Sequence, residues 1–279
     1  MTIAIVTDST CDLPASIAEE YGITVIPCYI NIGEASYLDG IEMSRQKFYE
    51  KLPEFKSVPT TSAPGIGSFI KTYQDLATQG AKEIISIHVA GKLSNIFNVA
   101  KLAADAFNEI PVTAVDSEQI SMGLGFLAIA ASKAARAGSS MAGIVEMIKK
   151  MIPHVYLFAS LDTMEFLKRS GRLSRLQANL GSLLKINPLV SVYKGEVGIE
   201  PVRTIRRSID RLLQHVSNLG AIEELALVHT HALEKVEEFR SIAQSFLPKE
   251  KIPVLAEVTP AIGVHVGPNA IGLICVTDR

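Results

Sequence analysis

The sequence predicts an α/β fold in two lobes, on three observations. Short β-branched runs alternate with segments of helical spacing along almost the entire chain, the mark of β-α units and a parallel sheet. That alternation breaks in the second half, where residues 190–193 and 197–202 flank Lys194-Gly195-Glu196 and read as a hairpin, so the second sheet is expected to be mixed. The length of 279 residues suits two lobes of ordinary size. The expected architecture is an N-terminal parallel-sheet α/β/α lobe over residues 1–150 and a C-terminal mixed-sheet α/β lobe over residues 151–279. The boundary is expected in residues 140–153.

Each element has a local reason. Residues 3–6 are a short apolar run, hence a buried strand. Pro14 opens a helix that ends near Gly22. Residues 23–30 read as a second strand and residues 44–52 as a short helix. Ser62 is a good N-cap with Pro64 in the first turn. Ile66, Phe69, Ile70, Tyr73 and Leu76 follow at helical spacing, and Gly80 closes the helix. Residues 84–89 form a strand, and Ser94 caps a helix that carries Val99, Leu102, Ala103, Ala106 and Phe107. Residues 112–115 deliver Asp116 and Ser117, and an Ala-rich helix runs over 120–137. In the second half, residues 155–159, 225–229, 254–258 and 270–276 read as strands, and 162–168, 208–219 and 232–246 as helices. Ligands of parallel sheets bind beyond the carboxyl ends of the strands. Asp8, Ser9, His88 and Asp116 are therefore expected along one edge.

Composition narrows the function. Lys and Arg number 27 against 29 Asp and Glu, a net charge of -2 that lacks the basic excess of a nucleic-acid binder. Hydrophobic residues make up 48% of the chain and mean hydropathy is +0.26. No run is long enough to span a bilayer, so the surplus apolar content goes to core, interface or an internal cavity. Cys11, Cys28 and Cys275 are sparse, odd in number and without ligand spacing, which fits a reducing compartment and neither a zinc site nor a redox dithiol. The first residues lack the basic region of a signal peptide. The expectation is a cytoplasmic protein without stable membrane insertion.

The chemistry-bearing segments are short hydroxyl-rich turns: Thr7-Asp8-Ser9, Thr60-Thr61-Ser62, Ser94 and Asp116-Ser117. Hydroxyls beside the free N–H groups of a helix start suit a small anion. Asp8 as a phosphatase nucleophile would want a second acid two residues on, where Thr10 stands. Turn chemistry is the reading preferred for Asp8 and Asp12, with Ser9 a candidate lining residue. Gly123-Leu124-Gly125 lacks the third glycine of a dinucleotide fingerprint, and no P-loop pattern exists. In the basic turn of residues 168–175, Lys168 and Arg169 suit a solvated helix end, whereas Arg172 beside Gly171 is a candidate for a phosphate or carboxylate. His229 and His231 find no third ligand, so no metal is expected. His265, in a Gly-Pro turn, can donate to a carboxylate or tie down a loop.

The order of these pieces resembles the DegV family of bacterial fatty-acid-binding proteins. The matching segments are Thr7-Asp8-Ser9, Thr61-Ser62, Leu93-Ser94, Asp116-Ser117, residues 167–174 and His265-Val266-Gly267-Pro268. The chain departs from the family pattern at Ala63, Gly65, Asn95, Ile96 and Asn269. The resemblance implies one long-chain fatty acid held between the lobes, with the C-terminal lobe closing over it. Thr61, Ser62 and Ser94 would grip the carboxylate, and Arg172 and His265 match the family's glycine-flanked arginine and its histidine before Gly-Pro. It further implies a carrier that is not an enzyme, that has no cofactor beyond the bound fatty acid, and that presents the acid to a separate fatty acid kinase in phospholipid metabolism. Ile66, Phe69, Ile96, Phe97, Met122, Leu124 and Phe126 are candidate walls for the acyl slot. Two rival readings are a phosphatase or acyl hydrolase using Asp8 or Ser9, and a lipid-responsive regulatory sensor.

Overall fold

A computed structural model of the chain describes residues 2–172, 187–246 and 251–278. Its chain order opens with β1 (Ile3–Asp8), α1 (Ala15–Tyr21), β2 (Ile23–Ile26), β3 (Tyr29–Ile32), β4 (Ala35–Leu38), α2 (Arg45–Lys51), β5 (Thr60–Ser62), α3 (Ile66–Thr78) and β6 (Glu83–His88). Next come α4 (Ile96–Ala106), β7 (Val112–Asp116), α5 (Met122–Arg136), α6 (Met141–Met151), β8 (Val155–Ser160) and α7 (Glu165–Arg169). The remaining elements are β9 (Leu189–Tyr193), β10 (Glu196–Glu200), α8 (Ile205–Ser217), β11 (Ile222–His229), α9 (Leu233–Gln244), β12 (Val254–Glu257), α10 (Pro260–Val266) and β13 (Ile271–Thr277).

The expected two-lobed α/β architecture is present. The first lobe is a parallel sheet in the order β2-β1-β6-β7. Strand order reverses between β1 and β6. Right-handed crossovers therefore put α1 on one face and α4 on the other, and α3 packs with α4 while α5 packs with α1 and α6. The second lobe is a sheet in the order β10-β9-β8-β13-β11-β12, antiparallel except for the β11–β12 pair. Its hairpin turns at Lys194 and Gly195, with φ of 50° and 73°, the left-handed geometry of a two-residue hairpin loop. The two lobes share one apolar core, in which α5 touches β1 of the first sheet and β13 of the second. Helix α5 is accordingly buried over most of its circumference. Gly123 and Gly125 serve that packing: a methyl group on Gly125 would stand 3.0 Å from the Cys11 carbonyl oxygen.

Four segments differ from expectation. Residues 23–30 are two strands in two sheets, because Pro27 offers no ladder N–H and the Cys28 N–H instead donates to Ser9 Oγ at 3.1 Å. Thr60, Thr61 and Ser62 do not start a helix. They form β5, an antiparallel partner of β3 in a third sheet ordered β4-β3-β5, and α3 begins after Gly65. Pro64 drives the residue before it into extended backbone, which favours that outcome. Residues 141–151 are a helix the sequence reading did not assign, capped by Ser140 Oγ at Gly143 N and burying Ile144, Ile148 and Met151. Lastly, His265 lies in the last turn of α10, and the turn proper starts at Gly267 with φ of 75°.

Candidate functional site

The reversal of strand order leaves a crevice at the carboxyl ends of β1 and β6. Asp8 and His88 meet there, as the alternating pattern suggests. The carboxylate of Asp8 is buried with both oxygens occupied. Oδ1 accepts from Thr10 N at 3.1 Å and Thr10 Oγ1 at 2.5 Å, and Oδ2 from Val89 N at 3.1 Å and lies 2.9 Å from His88 Nδ1. Behind His88 the chain of bonds continues through Ser86 Oγ at 2.6 Å to Tyr73, whose hydroxyl donates to Ser86 at 2.9 Å. Ser9 is equally committed, donating to Asp39 Oδ2 at 2.7 Å while accepting from Cys28 N. Both residues organise the turn, and neither presents a free nucleophile to the crevice.

Beyond that edge lies a cavity of about 810 Å³ between the first lobe and one face of the six-stranded sheet. This is in the upper part of the range for small-molecule sites, about 300–1,000 Å³. The sheet supplies an apolar wall. Val190, Ala159, Gly272 and Val228 stand side by side on β9, β8, β13 and β11 and all border the cavity. Gly272 and Ala159 add almost no bulk, so the middle of the wall is recessed. Thr10 and Ser121 also line the cavity, but their hydroxyl hydrogens go to the buried Asp8 and Asp12, at 2.5 Å in each case.

Thr61, Ser62, Ser94, Arg172 and His265, five residues from distant parts of the chain, all border this one cavity. Thr61 Oγ1 and His265 Nε2 lie 3.1 Å apart. Ser94 Oγ accepts from Ile96 N at 3.3 Å, which leaves its own hydrogen free to donate. Ser62 Oγ accepts from Asn31 Nδ2 at 2.8 Å on the solvent side of β5, since alternation along a strand sends neighbouring side chains to opposite faces. Arg172 Nη1 donates to the Ser170 carbonyl at 2.9 Å. Leu173, Ser174 and Arg175, the rest of the expected basic turn, lie outside the described residues.

Burial, with the Arg172 guanidinium as a second influence, pushes His265 down to about 3. The imidazole is therefore neutral at physiological pH, with one donor and one acceptor nitrogen. Among the described residues its Nδ1 has no hydrogen-bond partner. The site thus offers hydroxyl and imidazole donors from neutral groups, with a guanidinium close enough to act electrostatically. That chemistry suits a carboxylate or a phosphate. Among the described residues no group of three or more His, Cys, Asp or Glu side chains could hold a metal ion, and no helix is long and apolar enough to cross a membrane.

Of the seven candidate wall residues, only Ile96 borders the cavity. Phe69, Met122, Leu124 and Phe126 are buried in the shared core, and Ile66 is 44% exposed. Helical periodicity finds buried faces, and it cannot tell a face that meets protein from one that meets a cavity. Two mouth residues also escaped the sequence reading: Lys92 and Glu196 form an ion pair across the lobes, and the Gly195 N–H of the same hairpin donates to the Glu118 carbonyl at 2.7 Å.

Comparison with known proteins agrees with the geometry. The chain matches, over residues 2–278, the profile of the family described as uncharacterised protein, DegV family. It is 31% identical over 278 residues to protein DegV of Bacillus subtilis, covering 98% of each chain. It is 32% identical over 275 residues to a DegV domain-containing protein of Caldanaerobacter subterraneus, covering 97% of each. Among solved structures it is similar to DegV from Bacillus subtilis, described as a fatty acid binding protein, with a TM-score of 0.90 and 30% identity over 99% of this chain and 100% of that one. It is likewise similar to a DegV family protein from Thermus thermophilus, described for its fatty acid binding, with a TM-score of 0.88 and 30% identity over 100% of both chains. The chain belongs to the DegV family.

Proposed function

We propose that this protein is a carrier for a long-chain fatty acid, holding the acyl chain against the recessed sheet wall and the carboxylate at Thr61, Ser94 and His265, with Ser62 at the cavity border but its hydroxyl turned to Asn31. The observation that carries this reading is the polarity of the cavity: a wall of valines, Ala159 and Gly272, with the neutral Thr61–His265 pair and Ser94 at its border. Each buried methylene is worth about 0.8 kcal/mol, so a long chain supplies most of the affinity. The carboxylate cannot be buried unpaired, and the donors meet that demand. The fatty-acid binding described for the Bacillus subtilis and Thermus thermophilus relatives supports the same ligand.

In this reading the protein is not itself an enzyme. It acts in the cytoplasm without inserting into membranes, has no cofactor besides its lipid, and needs no nucleic acid. It presents the carboxylate to a separate fatty acid kinase, with Arg172 at the rim where it meets the acyl phosphate or the kinase. Two features support the division of labour: the sequence carries no nucleotide-binding fingerprint, and the Asp8 and Ser9 oxygens are committed within the fold. The two lobes, residues 1–150 and 151–279, would be the halves between which the lipid is held.

Native mass spectrometry of freshly purified protein, followed by denaturing extraction, tests the reading. A stoichiometric mass excess that releases a free fatty acid is the expected result. An apo mass that stays unshifted on adding a panel of fatty acids, together with turnover of ester or phosphate substrates lost in Asp8→Asn, would replace the carrier by a hydrolase.

A further inference from the structure

Helix α10 is only seven residues long. A helix of that length is not stable by itself, so its place is set by its packing and by whatever holds its ends. One end carries His265, bonded to Thr61. The other end is held by the first lobe at three consecutive residues. Arg45 Nη1 donates to the Glu257 carbonyl and its Nη2 to the Leu13 carbonyl at 2.9 Å. Tyr49 Oη donates to the Val258 carbonyl at 3.0 Å. The Thr259 N–H donates to Asp12 Oδ1 at 2.7 Å, and Asp12 Oδ2 is fixed in turn by Ser121 Oγ. Contact along the helix is equally close: a methyl group on Gly263 would lie 2.4 Å from Tyr49 Oη.

We propose that Asp12, Tyr49 and Arg45 are positioning residues for the carboxylate site, gripping the chain at residues 257–259 and so fixing where α10 begins and where His265 stands. None of the three is assigned to the head-group site itself, and Asp12 is buried too deeply to reach solvent. A lever argument gives the sensitivity. From Thr259 to His265 the helix rises roughly 9 Å at about 1.5 Å per residue, so a tilt of about 10° at its start moves the imidazole by about 1.5 Å. That displacement is enough to break the bond between His265 and Thr61, which spans 3.1 Å. Ala261, Ile262 and Val266 of α10 also border the cavity, but the longer stretch of apolar wall belongs to β8, β9, β11 and β13, so a tilt of α10 bears more on the carboxylate than on the acyl chain. Burial penalises the Asp12 charge and pushes that carboxyl up to about 6. An apolar side chain would avoid the penalty, and it would lose the grip on Thr259.

The inference rests on the carrier reading, and the test separates the two. Full-length wild type, Asp12→Ala and Tyr49→Phe are titrated with hexadecanoic acid and with hexadecan-1-ol, which shares the chain and lacks the charge. Asp12→Ala, which removes the acceptor for the Thr259 N–H, is expected to weaken the acid about tenfold and Tyr49→Phe about threefold, with the alcohol changed less than twofold in both. Combined with Thr61→Val, either substitution should cost less than the product of the two single effects, because both act through His265. Equal losses for acid and alcohol would mark a merely structural role and overturn the proposal, as would multiplicative losses. If Asp12→Ala does not fold, Tyr49→Phe decides alone. A wild type that binds neither ligand would sink the carrier reading and this inference with it, whereas a wild type that binds both, beside variants with unchanged preference, sinks the inference only.

Discussion

Replacing Thr61 with valine removes one hydroxyl and almost no volume, which makes it the sharpest probe of the head-group site. In the free protein Thr61 Oγ1 lies 3.1 Å from His265 Nε2, and His265 Nδ1 has no partner among the described residues. Thr61→Val therefore leaves the imidazole without the bond that orients it. A hydrogen bond to a charged group contributes about 1.5–3 kcal/mol. Loss of one such donor to a carboxylate predicts a Kd raised about 10- to 150-fold. The apolar wall is untouched, so an uncharged ligand of the same chain length should change less than threefold. The assay is displacement of a fluorescent fatty acid by hexadecanoate and by hexadecan-1-ol at pH 7.5, with a urea midpoint measured alongside to exclude global unfolding. A change of less than threefold for the acid, or a parallel fall for the alcohol, would falsify the placement of the carboxylate at Thr61.

Two further outcomes follow from the buried groups. Burial pushes Asp39 up to about 7, against about 4 in the unfolded chain. Between those values the folded state holds the extra proton, so Asp39 makes stability fall by up to roughly 4 kcal/mol as pH rises from about 4 to about 7, with no further loss above that. Asp39→Asn should abolish that part of the decline in urea midpoints measured from pH 5 to pH 8, and an unchanged slope would contradict it. At the sheet wall, a methyl group on Gly272 would stand 2.8 Å from Val228 Cγ2 and 3.3 Å from Ala159 Cβ. Gly272→Ala should cost about 1–3 kcal/mol through overpacking and shorten the longest fatty acid bound, read by native mass spectrometry against a chain-length series. Wild-type stability with full-length ligand would show that the wall yields.

The sequence made the first sheet readable because each β-α unit carries its own punctuation. Strands β1 and β6 are apolar runs ended by a polar turn, and α1 ends at Gly22 in the left-handed region with φ of 61°. The segment of Thr60, Thr61 and Ser62 was not readable in the same way. Ser62 followed by Pro64 is the local signature of a helix start, yet the partner that makes it a strand is β3, about thirty residues away. Local chemistry was consistent with both outcomes and a non-local ladder decided. Helix α6 carries Ile144, Ile148 and Met151 at helical spacing, but Gly138, Ser139 and Ser140 before it and Pro153 after it are equally the marks of a connection between lobes. The identity of the polar constellation came from the ordered set of motifs, and its convergence on one cavity could not have come from spacing. Val190, Ala159, Gly272 and Val228 are neighbours through three strand pairings, and no window of sequence contains them together.

The neutrality of His265 has a consequence for a carrier. A lysine or arginine placed against the carboxylate inside the cavity would stand as a buried charge whenever the site was empty, and removing one partner of a buried pair costs about 3–5 kcal/mol. A neutral imidazole beside a threonine hydroxyl carries no such penalty when the lipid leaves. In the empty site burial holds His265 near 3, so the imidazole is neutral across physiological pH when no lipid is bound. Strength then comes from the chain, at about 0.8 kcal/mol per methylene, and selectivity for an acid over an alcohol comes from the donors. In the proposed carrier such a site would discriminate its ligand without trapping it, as transfer to a second protein requires.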